Sequence, residues 1–202
     1  MTRNKKFKQV QYERIKSNIA KCKKDTATDK LIHNLIFGRT QRNSHNGYAM
    51  QSLSKLKNMI FFFIEKFNGV FVTKMNKLLF YTDFLSYREE GMGISGLAYK
   101  AIQYGPVPEN RAKIYSLTED VSQDLVECAN GNNGTKPVSD IPYDRECFTN
   151  EQLQILETVY KTFKHNTPAE ISQTSHNEAA WIENENAHSY IDYKYAFSLK
   201  EV

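Results

Sequence analysis

Two helical periods that meet at Asn68-Gly69 set what this chain can become. In residues 52–67, Leu53, Leu56, Ile60, Phe63, Ile64 and Phe67 recur at helical spacing, and Phe61 and Phe62 widen the apolar arc. A helix apolar on more than one side must be covered on more than one side. Asn68-Gly69 supplies its stop. Thr73 predicts the cap of a second helix running to about Glu90, with Gly91 just past its end. Met75, Leu78, Leu79, Thr82 and Leu85 form one stripe of that helix, and Phe80, Phe84 and Tyr87 a neighbouring one. The two helices predict the centre of a core. The run from Met59 to Ile64 is far shorter than the about 20 residues a membrane span needs, so no membrane partner is expected.

The flanking sequence predicts smaller elements. A thin stripe of Phe7, Val10, Ile15 and Ile19 predicts a basic helix over 5–24, and Thr26–Asp29 caps another carrying Leu31, Ile32, Leu35 and Ile36. Residues 38–47 are polar and read as a linker, with a soft boundary there. Residues 94–104 alternate, with Leu97, Tyr99 and Ala101 facing one way, which predicts a strand stopped by Gly105-Pro106-Val107-Pro108. A helix with Ile114, Tyr115 and Leu117 follows. Residues 129–140 read as a loop between two strands of a hairpin, Asp124–Cys128 and Ile141–Cys147. Capping boxes at Thr149–Gln152, Thr167–Glu170 and Ser175–Glu178 predict three helix starts, and Tyr190–Leu199 a last short helix. The expected fold is α+β and mainly helical: a compact helical domain over 46–202 with a small antiparallel sheet, behind a basic helical N-terminal extension over 1–45.

Charge is divided along the chain. Residues 1–57 carry 14 Lys and Arg against 3 Asp and Glu, and residues 58–202 carry 13 against 20, so a basic head at +11 precedes an acidic body at −7. The head is open to three readings: phosphate contact with DNA, docking on an acidic partner, or a solvated face. It contains no complete helix-turn-helix. Cys22, Cys128 and Cys147 are odd in number and far apart, and no apolar segment follows the basic N-terminus. Free thiols in the cytoplasm are the expectation.

Groups able to carry chemistry are few. There is no P-loop, no GxGxxG, no GxSxG and no CxxC. His176 with Glu178 two residues on has the composition of an acid/base pair or half a metal site. It equally reads as structure, with Glu178 in a cap and Trp181 as an anchor. Neither enzymatic activity nor a cofactor is expected. Asn76, Lys77, Tyr81 and Asp83 are polar groups within an apolar helix, with Lys77 and Tyr81 four apart on one face. They read either as an interaction patch or as a solvated face with buried bonds holding the Tyr104-Gly105-Pro106 turn.

Taken in order, these segments resemble a known family. The segment from Lys77 to Phe84, the pattern Gly96, Tyr99, Ala101, then Gly105-Pro106-Val107-Pro108, and His176, Glu178 and Trp181 near the end together resemble the Panacea domain, the SocA-like antitoxin domain. The resemblance spans about residues 50–195. It implies an antitoxin that neutralises a cognate protein toxin, often a translation inhibitor, by direct contact. It also leaves open an adaptor that delivers the toxin to a protease, and a transcriptional regulator that uses DNA contacts from residues 1–57. Lys77, Tyr81, Asp83, Tyr99, Tyr104 and Pro106 are the expected partner-binding residues, with His176, Glu178 and Trp181 as a structural motif. Self-association is a further possibility.

Overall fold

The computed structural model describes residues 27–38, 40–127 and 133–202. The helix expected over 5–24, the cap expected at Thr26, and Cys22 and Cys128 lie outside the described residues. The fold is mixed α+β, mainly helical, with two separate two-stranded antiparallel sheets.

The order begins with α1 (Ala27–Phe37), α2 (Leu53–Phe67) and α3 (Val72–Glu90). Ser52 starts α2 by accepting a bond from the Lys55 N–H. Asn68, in the left-handed region at φ 49°, ends it. The wide apolar arc of α2 is buried, from Leu56 through Phe63. The cap of helix α3 lies two residues before the expected one. Phe71 is its extended N-cap residue, the Met75 N–H bonds the Phe71 carbonyl, and Thr73 lies inside the first turn. Gly91 closes α3 in the left-handed region at φ 72°.

The strand β1 (Tyr99–Ile102) pairs antiparallel with β2 (Gly105–Pro108), Tyr99 opposite Pro108 and Ile102 opposite Gly105. The Gly-Pro-Val-Pro run is thus a strand and not only a stop. Its prolines are tolerated because a two-stranded sheet is all edge. Helix α4 (Arg111–Leu117) buries Ile114 and Tyr115. A hairpin of β3 (Ser122–Glu127) and β4 (Asn133–Val138) follows. Its second strand lies where the sequence reads as loop, while Arg145–Cys147 is a 3-10 turn started by Asp144. Strand β3 is largely exposed and β4 only partly buried, so neither carries an apolar alternation, and the composition signal fails.

Helices α5 (Asn150–Phe163) and α6 (Pro168–His176) start with the two expected capping boxes, at Thr149 with Gln152 and at Thr167 with Glu170. The third box does not form. Ser175 is in the last turn of α6 and donates to the Ser172 carbonyl at 2.7 Å. Glu178 is the N-cap residue of α7 (Ala179–Ile182) but makes no capping bond. A 3-10 turn at Tyr193–Ser198 ends the order, with Tyr193 and Ala196 buried.

Every layer leans on α3, whose residues from Lys74 to Ser86 are all buried. Helix α1 joins the same core through Ile36 and Phe37. The polar stretch before α2 folds back onto the body: the Gly93 N–H donates to the Gly47 carbonyl at 3.0 Å, and the Tyr193 N–H to the Ser44 carbonyl at 2.8 Å. Among the described residues, no helix is long and apolar enough to cross a membrane.

Candidate functional site

The polar side chains of α3 each reach a different part of the chain. Lys74 donates to the Phe163 and Asn166 carbonyls at 2.8 and 2.6 Å, closing the C-terminal end of α5. Lys77, one turn on, donates to the Pro106 carbonyl at 3.0 Å. Tyr81, a further turn along the same face, donates to Glu178 Oε1 at 3.2 Å. On another face Asn76 accepts from the Tyr115 hydroxyl at 2.8 Å. Asp83, seven residues on, takes four donors: the Ile94 and Ser95 N–H groups, each at 2.8 Å, the Ser95 hydroxyl, and the Tyr99 hydroxyl at 2.7 Å. Buried polar groups need partners, and here each partner belongs to a loop, strand or helix that would otherwise be free to shift.

Burial dominates the electrostatics. It pulls the Lys77 ammonium, with Arg111 adding repulsion, down to about 7. It raises the Asp83 carboxyl above its ordinary range, against the four hydrogen bonds that favour the charged form. Glu178 is raised by burial too, opposed by bonds from the Lys200 N–H and Tyr81. The Tyr81 phenol is pushed up by burial and then by Glu178.

The β1–β2 turn packs onto this face. Gly105 has φ +94°, and a Cβ there would sit 2.4 Å from Ser175 Oγ and 2.8 Å from Lys77 Cε, so this strand end admits only glycine. Trp181 donates from Nε1 to the Ile102 carbonyl at 2.7 Å. The His176 ring stacks on Trp181 at 4.1 Å and 22°. Burial, then the charge of Lys77, lowers the His176 pKa. Glu178 is engaged by Tyr81 and the Lys200 backbone, and no hydrogen bond joins it to His176. The two side chains thus have separate partners, Glu178 the Tyr81 hydroxyl and the Lys200 N–H, and His176 the Trp181 ring. Among the described residues no cluster of three or more His, Cys, Asp or Glu is placed to hold a metal.

The structure thus brings Lys77, Tyr81, Pro106, His176, Glu178 and Trp181 together around one turn, and sets Asp83 with Tyr99 beside them. Lys77, Tyr81, Asp83, Tyr99 and Pro106 are buried, and Tyr104, at 61% exposure, is the expected partner-binding residue that faces outward. Asn76, Lys77, Tyr81 and Asp83 of α3 are buried rather than solvated, and of their bonds the one from Lys77 reaches the Tyr104-Gly105-Pro106 turn. What the sequence did not single out is a surface group of Tyr48, Tyr87, Met92 and Phe197, drawn from three distant segments. A half-exposed Tyr87 touches the Tyr48 and Phe197 rings.

The family model for the antitoxin SocA-like, Panacea domain matches residues 75–182. Neither a curated protein nor a solved structure matches the chain. The matched stretch runs from the first turn of α3 to the end of α7. It contains Lys77, Tyr81, Asp83, the β1–β2 turn and the His176–Trp181 stack, which are the parts that bind one another here. With those parts joined in one scaffold and more than half its length matched, the chain belongs to the antitoxin SocA-like, Panacea domain family.

Proposed function

We propose that this protein is an antitoxin that neutralises a cognate toxin, a translation inhibitor, by direct protein–protein binding and without turnover. One observation carries the reading. The polar residues of the family motif are engaged with the protein's own backbone and side chains, so the outer surface is left to meet a partner. Neutralisation at nanomolar affinity requires about −12 kcal/mol, which is reached through a few buried aromatic anchors. This chain has 12 Tyr and 12 Phe from which to draw them. Coexpression of the tagged chain with the product of the neighbouring gene tests it. A stoichiometric complex surviving size exclusion in about 0.5 M salt is expected, because screening at that salt removes weak surface attraction. No complex with a folded chain sinks the reading.

The +11 charge of residues 1–57 supports a second reading, a DNA-binding regulator. That reading requires affinity for duplex DNA that falls steeply with salt and disappears when residues 1–45 are removed.

A further inference from the structure

We infer that the β1–β2 turn is a latch released by acid: Lys77 and His176 hold it closed as neutral side chains, and proton uptake by the two opens the turn to water. The inference is independent of the antitoxin reading. The turn is clasped at both ends. Trp181 Nε1 donates to the Ile102 carbonyl at 2.7 Å, and Lys77 Nζ to the Pro106 carbonyl at 3.0 Å. Ile102 pairs with Gly105 and Ala101 with Pro106, so the clasps grip adjoining rungs of the ladder. Between them Gln103 and Tyr104 are exposed. Only the missing side chain of Gly105 lets the strand lie this close, since a Cβ there would stand 3.0 Å from Lys77 Nζ.

The clasp suits an uncharged lysine. An ammonium has three N–H donors. Fully buried Lys77 reaches one acceptor, the Pro106 carbonyl, and makes no ion pair among the described residues. Lys74 shows what a held ammonium uses on the same helix: two carbonyls, at 2.8 and 2.6 Å, and the Phe67 ring at 4.1 Å. Nearby carboxylates are engaged elsewhere, Glu178 with the Tyr81 hydroxyl and the Lys200 N–H, and Asp83 with the 94–99 segment. Arg111 of α4 repels a charge on Lys77, and the pKa of about 7 agrees with this geometry.

His176 backs the other clasp. Its ring stacks on Trp181 at 4.1 Å, and its Nε2 is buried without a hydrogen-bond partner. Protonation puts an N–H on both ring nitrogens, and the buried one has no acceptor. Burial and then Lys77 lower the His176 pKa, against Glu185. Also packed around the hairpin are His188, whose Nδ1 meets the Ala101 carbonyl at 3.3 Å, the Lys100–Glu109 pair with Tyr190, and Tyr99 on Asp83. Among the described residues no hydrogen bond or ion pair joins any of these to Lys77, His176 or Trp181. Opening gives both cations water and breaks two bonds at the end of a two-stranded sheet, an element that opens locally at little cost.

Trp181 is the single tryptophan of the chain, so its access to solvent reports the latch. The test is acrylamide quenching of the full chain from about pH 8.5 to about pH 5.5, with far-UV circular dichroism to follow the helices. The quenching constant should rise at least about twofold, reversibly and with the helices intact, around a midpoint near the Lys77 pKa of about 7. Arg111→Gln, at an exposed position, removes a repulsion, raises the Lys77 pKa and should move that midpoint upward. Lys77→Met should remove the step near neutrality, and His176→Gln the part of the rise that lies below the ordinary histidine pKa of about 6.5. Wild-type quenching that stays flat while the helices stay folded overturns the latch. So does a midpoint that Arg111→Gln leaves unmoved, or a rise that coincides with loss of helix, which is unfolding of the whole chain.

Discussion

The inward length of α3 and the surface beside its C-terminal end use similar residues in opposite ways. Along the inward length, Tyr81 and Asp83 are fully buried and bonded to Glu178 and to the 94–99 segment. Beside the end, Tyr48 and Phe197 touch Tyr87 and stay 48% and 68% exposed. A tyrosine in the first region holds an element in place. A tyrosine in the second stands half in solvent. The difference teaches that a family motif rich in Lys, Tyr and Asp marks a scaffold here, built from side chains turned inward onto distant segments.

The largest effect is expected at Asp83. Asp83→Ala strands the Ser95 and Tyr99 donors inside the protein, and urea unfolding should show a loss of at least about 3 kcal/mol. Gly105→Ala comes next. Its methyl would collide with Ser175 and Lys77, whereas Gly91→Ala, also at positive φ, meets nothing within 4 Å. The expected losses are about 2 kcal/mol or more for the first and about 1 kcal/mol for the second. A reversed order would show that the turn is not packed as described.

Lys77 makes the stability of the buried face depend on pH. Its pKa is about 7 in the folded chain and near the ordinary value of about 10.4 in the unfolded chain. Between these values the unfolded chain binds more protons, so stability rises with pH. The contribution is complete above about pH 10.4 and is lost as pH falls toward 7. Relative to Lys77→Met, the wild type should gain on the order of 2 kcal/mol between about pH 7 and 9 in matched urea titrations. Parallel pH profiles would mean that the ammonium is solvated. Trp181→Phe removes the indole donor to the Ile102 carbonyl and should cost about 1 kcal/mol. Smallest of all, Phe197→Ser should shift unfolding by less than about 0.5 kcal/mol, since its ring is 68% exposed.

Much of the scaffold was legible in the sequence. The apolar arc of Leu53–Phe67, the left-handed stop at Asn68, and the boxes at Thr149 and Thr167 follow from local rules, and they form as those rules say. The segment Ser175–Glu178 satisfies the same box rule and does not form it, because Ser175 is held inside α6 and Glu178 is turned to Tyr81. Strand β4 was hidden by its composition, Asn-Gly-Thr-Lys-Pro-Val, since Gly, Thr, Lys and Pro at its partly buried and buried positions show no apolar period. The buried polar residues of α3 were visible as an anomaly. Whether they faced water or the core depended on partners 11 to 97 positions away, which no local pattern reports. The ring group was not legible: Tyr48, Tyr87 and Phe197 meet only through the fold, and the left-handed backbone of Tyr48 has no glycine to announce it.

The most direct measurement pairs urea unfolding with toxin titration on two variants, Asp83→Asn and Phe197→Ser, both expected to fold. Asp83→Asn should lower stability by about 1–2 kcal/mol at unchanged affinity. Phe197→Ser should leave stability within about 0.5 kcal/mol of the wild type. An Asp83→Asn chain as stable as the wild type yet weakened in binding would contradict the division of this molecule into a bonded interior and exposed rings beside it.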